Sequence, residues 1–206
     1  YQVWARQLQA HAQTLDAQLA YWQAQTAAAD LPCDNPQGGL QNRLGAKLEI
    51  RLDAEHTRQL LQDAPAAYRT QVNDLLLTAL ARVICRWSGQ PAALIQLEGH
   101  GREELFDGVD LSRTVGWFTS LFPLRLRADG ELADGIKAVK EQLRDVPDKG
   151  IGYGLLRYLG TPDAREALSR LAAPRITFNY LGQFDRQFNE SAPFVPATGG
   201  SGQAQD

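Results

Sequence analysis

The segment "AALIQLEG", residues 92–99, decides the fold class of this chain. It is short and apolar, and it predicts a buried β-strand. A strongly apolar helix is predicted just before it, over residues 70–89, with Gly89 and Pro91 as the stop signal. The next β-like segment, "LFPLRLRAD" at 121–129, alternates apolar and polar residues. Alternating helices and strands indicate an α/β fold, with the strand directions left open.

Spacing and start signals predict further helices. Apolar residues recur every three or four positions in residues 1–28 and in residues 132–146. Asp53 is the expected N-cap of a helix that follows it. Thr161 is the expected N-cap of another helix, which opens with Pro162.

Other segments are predicted to be strands or loops. Residues 46–53, "AKLEIRLD", alternate in polarity and predict a strand with one face in water. Residues 174–182, "PRITFNYLG", have the composition of a β-strand. Two prolines and two glycines make residues 30–39 a predicted loop, and we expect residues 191–206 to form a flexible tail.

The composition is that of a globular protein and argues against several kinds of partner. The chain has 206 residues, of which 44% are hydrophobic and 22% are charged, and its net charge is −3. This near-neutral charge argues against nucleic acid or an anionic membrane as the main partner. Cys33 and Cys85 have the spacing of neither a disulfide framework nor a zinc site, which indicates a cytoplasmic protein.

Side chains that transfer protons cluster where the strand at 92–99 is expected to end. If the chain stays extended through "GHG", Glu98, His100 and Arg102 share one face, because side chains alternate along a strand. Glycines then leave the other face bare, so another group can approach the backbone. A carboxyl group that follows an apolar run is expected near a dry wall, which favours acid–base chemistry. The alternative is a solvated strand end with a salt bridge.

Five motifs occur in an order that resembles one known family. They are "NDLLLTA" (73–79), "EGHGRE" (98–103), "RTVGWFTSLFP" (113–123), "PDKGIGYG" (147–154) and "FNYLGQ" (178–183). Together they resemble the signature series of the epimerization domain of nonribosomal peptide synthetases. The resemblance extends over most of the chain, from about residue 1 to residue 190.

The resemblance implies both a fold and a reaction. The fold is one lobe of a two-lobed α/β architecture similar to chloramphenicol acetyltransferase and to condensation domains, with a mixed sheet flanked by helices. The reaction is L-to-D inversion at the α-carbon of an aminoacyl or peptidyl thioester, carried on the phosphopantetheine of a peptidyl carrier protein. The resemblance implies no bound cofactor. We expect no metal either, since no second histidine stands at ligand spacing from His100.

The resemblance also implies roles for individual residues. Glu98 is the expected general acid or base, and Asn179 and Tyr180 are expected beside the enolate oxygen. Around them we expect orienting side chains and tunnel walls, with Arg113 in a buried ion pair as the alternative to an orienting role. The orienting residues are His100, Arg102 and Arg113, and the walls of the substrate tunnel are Trp117, Phe118 and Tyr153.

The sequence departs from the family in one respect. Its histidines are His11, His56 and His100, so it has no HHxxxDG motif, and it contains no methionine. We therefore expect an N-terminal lobe carrying that motif to be a partner, and this chain alone to be inactive. The expected division of the chain is an interlobe linking helix at 1–29, a loop at 30–45, the C-terminal lobe at 46–190 and the tail at 191–206.

Two other functions remain open from the sequence. One is a condensation domain that forms peptide bonds on the same fold. The other is a non-catalytic lobe that docks a carrier protein. The motifs "EGHGRE" and "RTVGWFT" favour epimerization, because condensation domains resemble this pattern only loosely. In each case the expected partners are a carrier protein and neighbouring synthetase modules.

Overall fold

The computed structural model describes residues 1–26, 30–39 and 41–182, which contain eight α-helices and three β-strands. Gln183 and the expected tail lie outside the described residues. The strands are β1 (Ala93–Gly99), β2 (Ser120–Leu126) and β3 (Thr177–Phe178). The helices are α1 (Gln2–His11), α2 (Leu19–Gln23), α3 (Ala54–Arg58), α4 (Ala64–Tyr68), α5 (Val72–Ser88), α6 (Leu132–Arg144), α7 (Ile151–Leu159) and α8 (Pro162–Ser169).

The three strands form a mixed sheet in the order β2-β1-β3. β1 runs antiparallel to β2, with Ala93 opposite Leu126 at one end and Gly99 opposite Ser120 at the other. β1 runs parallel to β3, with Leu97 beside Phe178. The expected α/β class with a mixed sheet is therefore confirmed, and the parallel pair is joined by a long connection that contains α6 to α8.

Side chains close the outer edge of β2. The Arg125 N–H donates to Gln25 Oε1 over 2.9 Å, and the Arg127 N–H donates to Gln142 Oε1 over 2.9 Å. Gln142 also donates from Nε2 to the Arg127 carbonyl over 2.8 Å. Pro123, on the same edge, has no N–H to leave unpaired. This edge is therefore protected against pairing with another strand.

The core lies between the sheet and the helices that pack on it. α5 packs against β1, and α7 packs against β2. Trp22 of α2 is completely buried and meets the rings of Phe122 and Tyr153 edge-on, at centroid distances of 6.0 and 5.4 Å. The fully buried aliphatic side chains around it come from helices and strands alike: Leu77, Ile95, Leu124, Leu126, Val139, Leu156 and Leu168.

Three predicted helix boundaries are confirmed by backbone geometry. The His56 N–H donates to the Asp53 carboxylate over 2.8 Å at the start of α3. The Ala164 N–H donates to Thr161 Oγ1 over 3.4 Å at the start of α8. Gly89 ends α5 with φ of 68°, a left-handed conformation that glycine adopts without strain. Among the described residues, no helix combines the length and the apolar composition needed to cross a bilayer.

Three predicted elements differ from the structure. Of the strand expected at 174–182, only Thr177–Phe178 pairs with β1. The helix expected over residues 1–28 breaks after His11 into 3₁₀ turns, and Leu15, with φ of −93° and ψ of 7°, separates them. The strand expected at 46–53 does not form, and its apolar residues Leu48, Ile50 and Leu52 are exposed. Alternating polarity suits a strand, but a strand also needs a backbone partner, and the described residues supply none.

We expect Trp22→Ala to lower the free energy of unfolding by about 3–5 kcal/mol, because it removes a large aromatic side chain from a fully buried position. Trp87→Ala is the matched control, since Trp87 is 56% exposed, and its effect should stay within about 0.5 kcal/mol. Urea denaturation followed by circular dichroism measures both. Equal effects would contradict the position given to Trp22.

Candidate active site

The register of the parallel pair brings two predicted site residues together. Leu97 lies beside Phe178, so the residues that follow them in the chain, Glu98 and Asn179, are also neighbours. Asn179 Nδ2 donates to Glu98 Oε2 over 2.7 Å, although 81 positions separate the two residues. Within the described residues, the other carboxylate oxygen of Glu98 has no hydrogen-bond partner. One oxygen is therefore oriented and the other is free to take part in chemistry.

A cavity of about 280 Å³ lies next to this pair. The first turns of α5 and the end of α6 form two of its sides, and Leu97, Phe122 and Phe178 give it an apolar floor. Glu98, Asn179 and Tyr180 all line it, as do several charged residues named below. The structure therefore places the three expected catalytic residues around one space.

Glu98 itself is exposed, so the dry wall expected beside its carboxyl group is absent from the described residues. The reason is the alternation of side chains along β1. Ile95 and Leu97 are buried on one face of the sheet, whereas Gln96 and Glu98 point to the other face, which is less covered. An apolar run in the sequence did not reveal which face of the strand was covered.

The chain does not stay extended past Glu98. β1 ends at Gly99, and Gly101 has φ of 67°, which turns the backbone. His100 Nδ1 accepts a hydrogen bond of 3.0 Å from the Arg102 N–H, so in the neutral ring Nε2 carries the hydrogen. Nε2 lies 3.2 Å from Glu103 Oε1. His100 lines the cavity with Glu98, but Arg102 no longer shares a face with them.

The two expected orienting arginines lie away from Glu98. Arg102 donates to the Leu111 carbonyl over 2.6 Å, and its guanidinium carbon lies 4.0 Å from the centroid of the Phe118 ring. It thus braces the connection between β1 and β2. Arg113 is exposed and, among the described residues, makes no ion pair, so the structure brings it neither to Glu98 nor into a buried pair.

The three expected tunnel residues line one space. Trp117, Phe118 and Tyr153 border a second cavity of about 700 Å³, between α1, α7 and the start of β2. Leu121, the cross-strand partner of Glu98, also lines it. Trp117 is 83% exposed, so its indole is a rim of this cavity and not part of the core.

The expectation that glycines admit another group close to the backbone is confirmed at two positions. A Cβ on Gly101 would overlap the Phe118 carbonyl. A Cβ on Gly99 would lie 2.7 Å from Ser120 Oγ. The connection that leaves β1 therefore folds back directly onto the start of β2, and this fixes the direction of the chain just after Glu98.

Glu103 and Lys149 were missed by sequence reasoning. The Glu103 side chain is only 10% exposed, and Lys149 Nζ lies 2.9 Å from its Oε2. Both residues line the cavity that Glu98 borders. The only signal was that each belongs to a motif, "EGHGRE" or "PDKGIGYG", but nothing in the spacing indicated that the two motifs meet.

Comparisons with known proteins show which family model and which relatives this chain is similar to. The chain matches the family model described as Condensation domain over residues 1–200. It is 45% identical over 214 residues to one of the linear gramicidin synthase proteins of Brevibacillus parabrevis, covering 100% of this chain and 4% of that protein. Tyrocidine synthase 1 of Brevibacillus parabrevis is 42% identical over 192 residues, covering 90% of this chain and 18% of that protein. The chain therefore spans a small part of the length of these curated relatives.

A solved structure extends the comparison to three dimensions. The epimerization domain from the third module of tyrocidine synthetase B has 40% sequence identity and a TM-score of 0.80. That alignment covers 89% of this chain and 44% of the solved chain. A holo four-domain nonribosomal peptide synthetase, at 21% identity and a TM-score of 0.61, shares the fold.

We expect Gly101→Ala to destabilise the protein more than Gly108→Ala does. Both glycines have left-handed φ, 67° and 75°, so each alanine costs about 1–2 kcal/mol for its backbone conformation. A Cβ on Gly108 meets nothing within 4 Å, whereas one on Gly101 collides with the backbone of Phe118 and should cost about 1–3 kcal/mol more. Thermal unfolding of both variants measures the difference, and equal melting temperatures would contradict the close approach.

Proposed function

We propose that this chain, which belongs to the condensation-domain family of nonribosomal peptide synthetases, forms one wall of an epimerization site. The substrate is an aminoacyl or peptidyl thioester on the phosphopantetheine of a carrier protein. The observation that carries the proposal is the Glu98 carboxylate, oriented by Asn179 at the wall of a cavity. The similarity to the epimerization domain of tyrocidine synthetase B supports it.

A carboxylate suits the first step of this reaction. A thioester acidifies the hydrogen on the neighbouring α-carbon, because the carbanion formed by deprotonation is an enolate. Asn179 holds one oxygen of Glu98, which leaves Oε1 to accept the α-proton from a substrate in the cavity. The hydrogen bond restricts rotation of the carboxylate, so the accepting oxygen keeps one direction.

Tyr180 follows Asn179 and lines the same cavity. As the proton leaves, negative charge builds up on the thioester oxygen. The phenol O–H of Tyr180 is the donor that we assign to this oxygen. Glu98 thus accepts the proton, and Tyr180 stabilises the negative charge that remains on the thioester oxygen.

Inversion also needs a second proton-transfer group on the opposite face of the α-carbon. His100 lines the cavity, but it follows Glu98 by two residues in the same segment and its Nε2 faces Glu103, so we do not assign it to the opposite face. Neither His11 nor His56 lines the cavity: His11 meets the Phe106 ring, and His56 pairs with Asp53. We assign the second group to a histidine of an HHxxxDG motif in the other lobe of the domain. In support, the chain aligns with only 44% of the solved epimerization domain. This scheme uses no bound cofactor.

Peptide-bond formation is the second candidate, because the matching family model is that of condensation domains. That reaction joins two carrier-bound substrates and leaves the α-hydrogen in place. Docking of a carrier protein without catalysis would likewise leave it in place. Exchange of the α-hydrogen with solvent therefore separates epimerization from both alternatives.

We expect Glu98→Gln to slow solvent exchange of the α-hydrogen by about 10²–10⁴-fold, because an amide cannot accept the proton. The measurement is deuterium incorporation from D₂O into a carrier-bound aminoacyl thioester, in a parent protein that contains both lobes. Glu104→Gln is the control, since Glu104 is exposed and does not line the cavity. Wild-type exchange in Glu98→Gln would rule out the role given to this carboxylate.

Tyr180→Phe should lower kcat for the same exchange by about 10²-fold with little change in KM, because the lost donor acts on charge that develops only in the transition state. Tyr68→Phe is the control, since Tyr68 is the last residue of α4 and lines neither this cavity nor the one bordered by Trp117, Phe118 and Tyr153. An unchanged kcat in Tyr180→Phe would remove Tyr180 from the mechanism.

A further inference from the structure

We propose that Glu103 is a positioning residue for this site: it joins the segment that follows Glu98 to the turn before α7, and so holds the cavity wall in place. The inference rests on the proposed function for its catalytic meaning. The contacts involve Glu103, His100 and Lys149, which we call the Glu103 cluster.

Glu103 is a nearly buried carboxylate with both oxygens engaged. Its side chain is 10% exposed, Oε1 faces His100 Nε2 at 3.2 Å, and Oε2 faces Lys149 Nζ at 2.9 Å. The side chains of His100 and Lys149 are 66% and 76% exposed. The buried member of the cluster is therefore its centre, and removing it would leave two exposed side chains without a common partner.

The turn that carries Lys149 has an unfavourable backbone. Asp148 and Lys149 have φ of 44° and 51°, both in the left-handed region, and Gly150 follows with φ of 92°. Residues that have a Cβ adopt the left-handed region at a cost in free energy. Two such residues in succession persist only where other contacts hold them. Here Asp148 Oδ2 accepts a hydrogen bond of 2.6 Å from Gln18, and Lys149 pairs with Glu103.

This turn packs directly against the end of β1. A Cβ on Gly99 would lie 3.3 Å from the Lys149 carbonyl, and a Cβ on Gly150 would overlap the Phe122 ring. Gly99 is the residue after Glu98, so the turn fixes the backbone from which the carboxylate extends. A displacement of the turn would therefore move Gly99, and Glu98 with it.

His100 connects the cluster to the same wall. Its Nδ1 accepts a hydrogen bond from the Arg102 N–H, and its Nε2 lies 3.2 Å from Glu103 Oε1. Glu103, His100 and Lys149 line the cavity that Glu98 borders. The cluster thus connects two motifs, residues 98–103 and 147–154, on one side of the cavity.

The first test compares Glu103→Gln, Lys149→Gln and the double variant in the two-lobed parent protein with a loaded carrier. We expect each single variant to lower kcat for α-hydrogen exchange by about 10- to 100-fold, because misplaced groups lose alignment with the substrate. The double variant should lose little more than either single variant, because the two residues act as a pair. Glu104→Gln should keep the wild-type rate, since Glu104 is exposed and outside the cavity.

The second test does not depend on activity. Hydrogen–deuterium exchange of the backbone amides in residues 99–103 and 147–151 should speed up in Glu103→Gln and Lys149→Gln, but not in Glu104→Gln. Lys149→Gln changes an exposed side chain, so it still provides the test if Glu103→Gln fails to fold.

The outcomes separate this inference from the proposed function. One outcome overturns the inference and leaves the function standing. In it, wild-type protein exchanges the α-hydrogen, Glu98→Gln slows this exchange, and both cluster variants keep the rate of Glu104→Gln. If wild-type protein shows no α-hydrogen exchange, the function fails. Backbone amide exchange then still tests whether Glu103 joins the two segments. Unchanged amide exchange in Glu103→Gln and Lys149→Gln would overturn the inference as well.

Discussion

The parallel register between β1 and β3 is the constraint on which the candidate site depends. Only two residues of β3 pair with β1, yet they set Leu97 beside Phe178. The following residues, Glu98 and Asn179, are then close enough to share a hydrogen bond of 2.7 Å. A slip of one residue would move Asn179 to the other face of the sheet, because side chains alternate along a strand. The short strand therefore sets which side chains meet at the candidate site.

The antiparallel pair has a complementary role. β2 gives β1 a long, buried partner whose outer edge is closed by Gln25 and Gln142, so β1 is a fixed support in the middle of the sheet. The C-terminal end of β1 is accessible, since Glu98 is exposed and the chain turns at Gly101. A rigid strand with a free end holds a reacting group in place while leaving it accessible to a substrate.

The cavity combines two surfaces with different physical roles. Its floor is apolar, made by Leu97, Phe122 and Phe178, and belongs to the core of the sheet. Its rim carries titratable and hydrogen-bonding side chains, among them Glu98, Asn179 and Tyr180. The Glu103 cluster connects the rim to a turn with left-handed backbone at the end of the sheet. The proposed epimerization uses the rim for chemistry and the floor for shape.

Local patterns determined much of the fold. The apolar run at 92–99 predicted β1. Asp53, Thr161 and Gly89 marked helix boundaries, because a helix cap depends on residues close by in the chain. The strand predicted at 46–53 was wrong for the opposite reason: alternation shows that a segment suits a sheet but not that a partner is present.

The sequence by itself determined the α/β class, the main helices, β1 and the motifs that carry Glu98, Asn179 and Tyr180. Only the tertiary structure decided which of these residues meet. It joined Glu98 to Asn179, turned Arg102 towards Phe118 and brought Lys149 to Glu103. The physical reason is that contacts between distant segments depend on strand register and on the path of connections, and neither is encoded in the spacing of residues along a single segment.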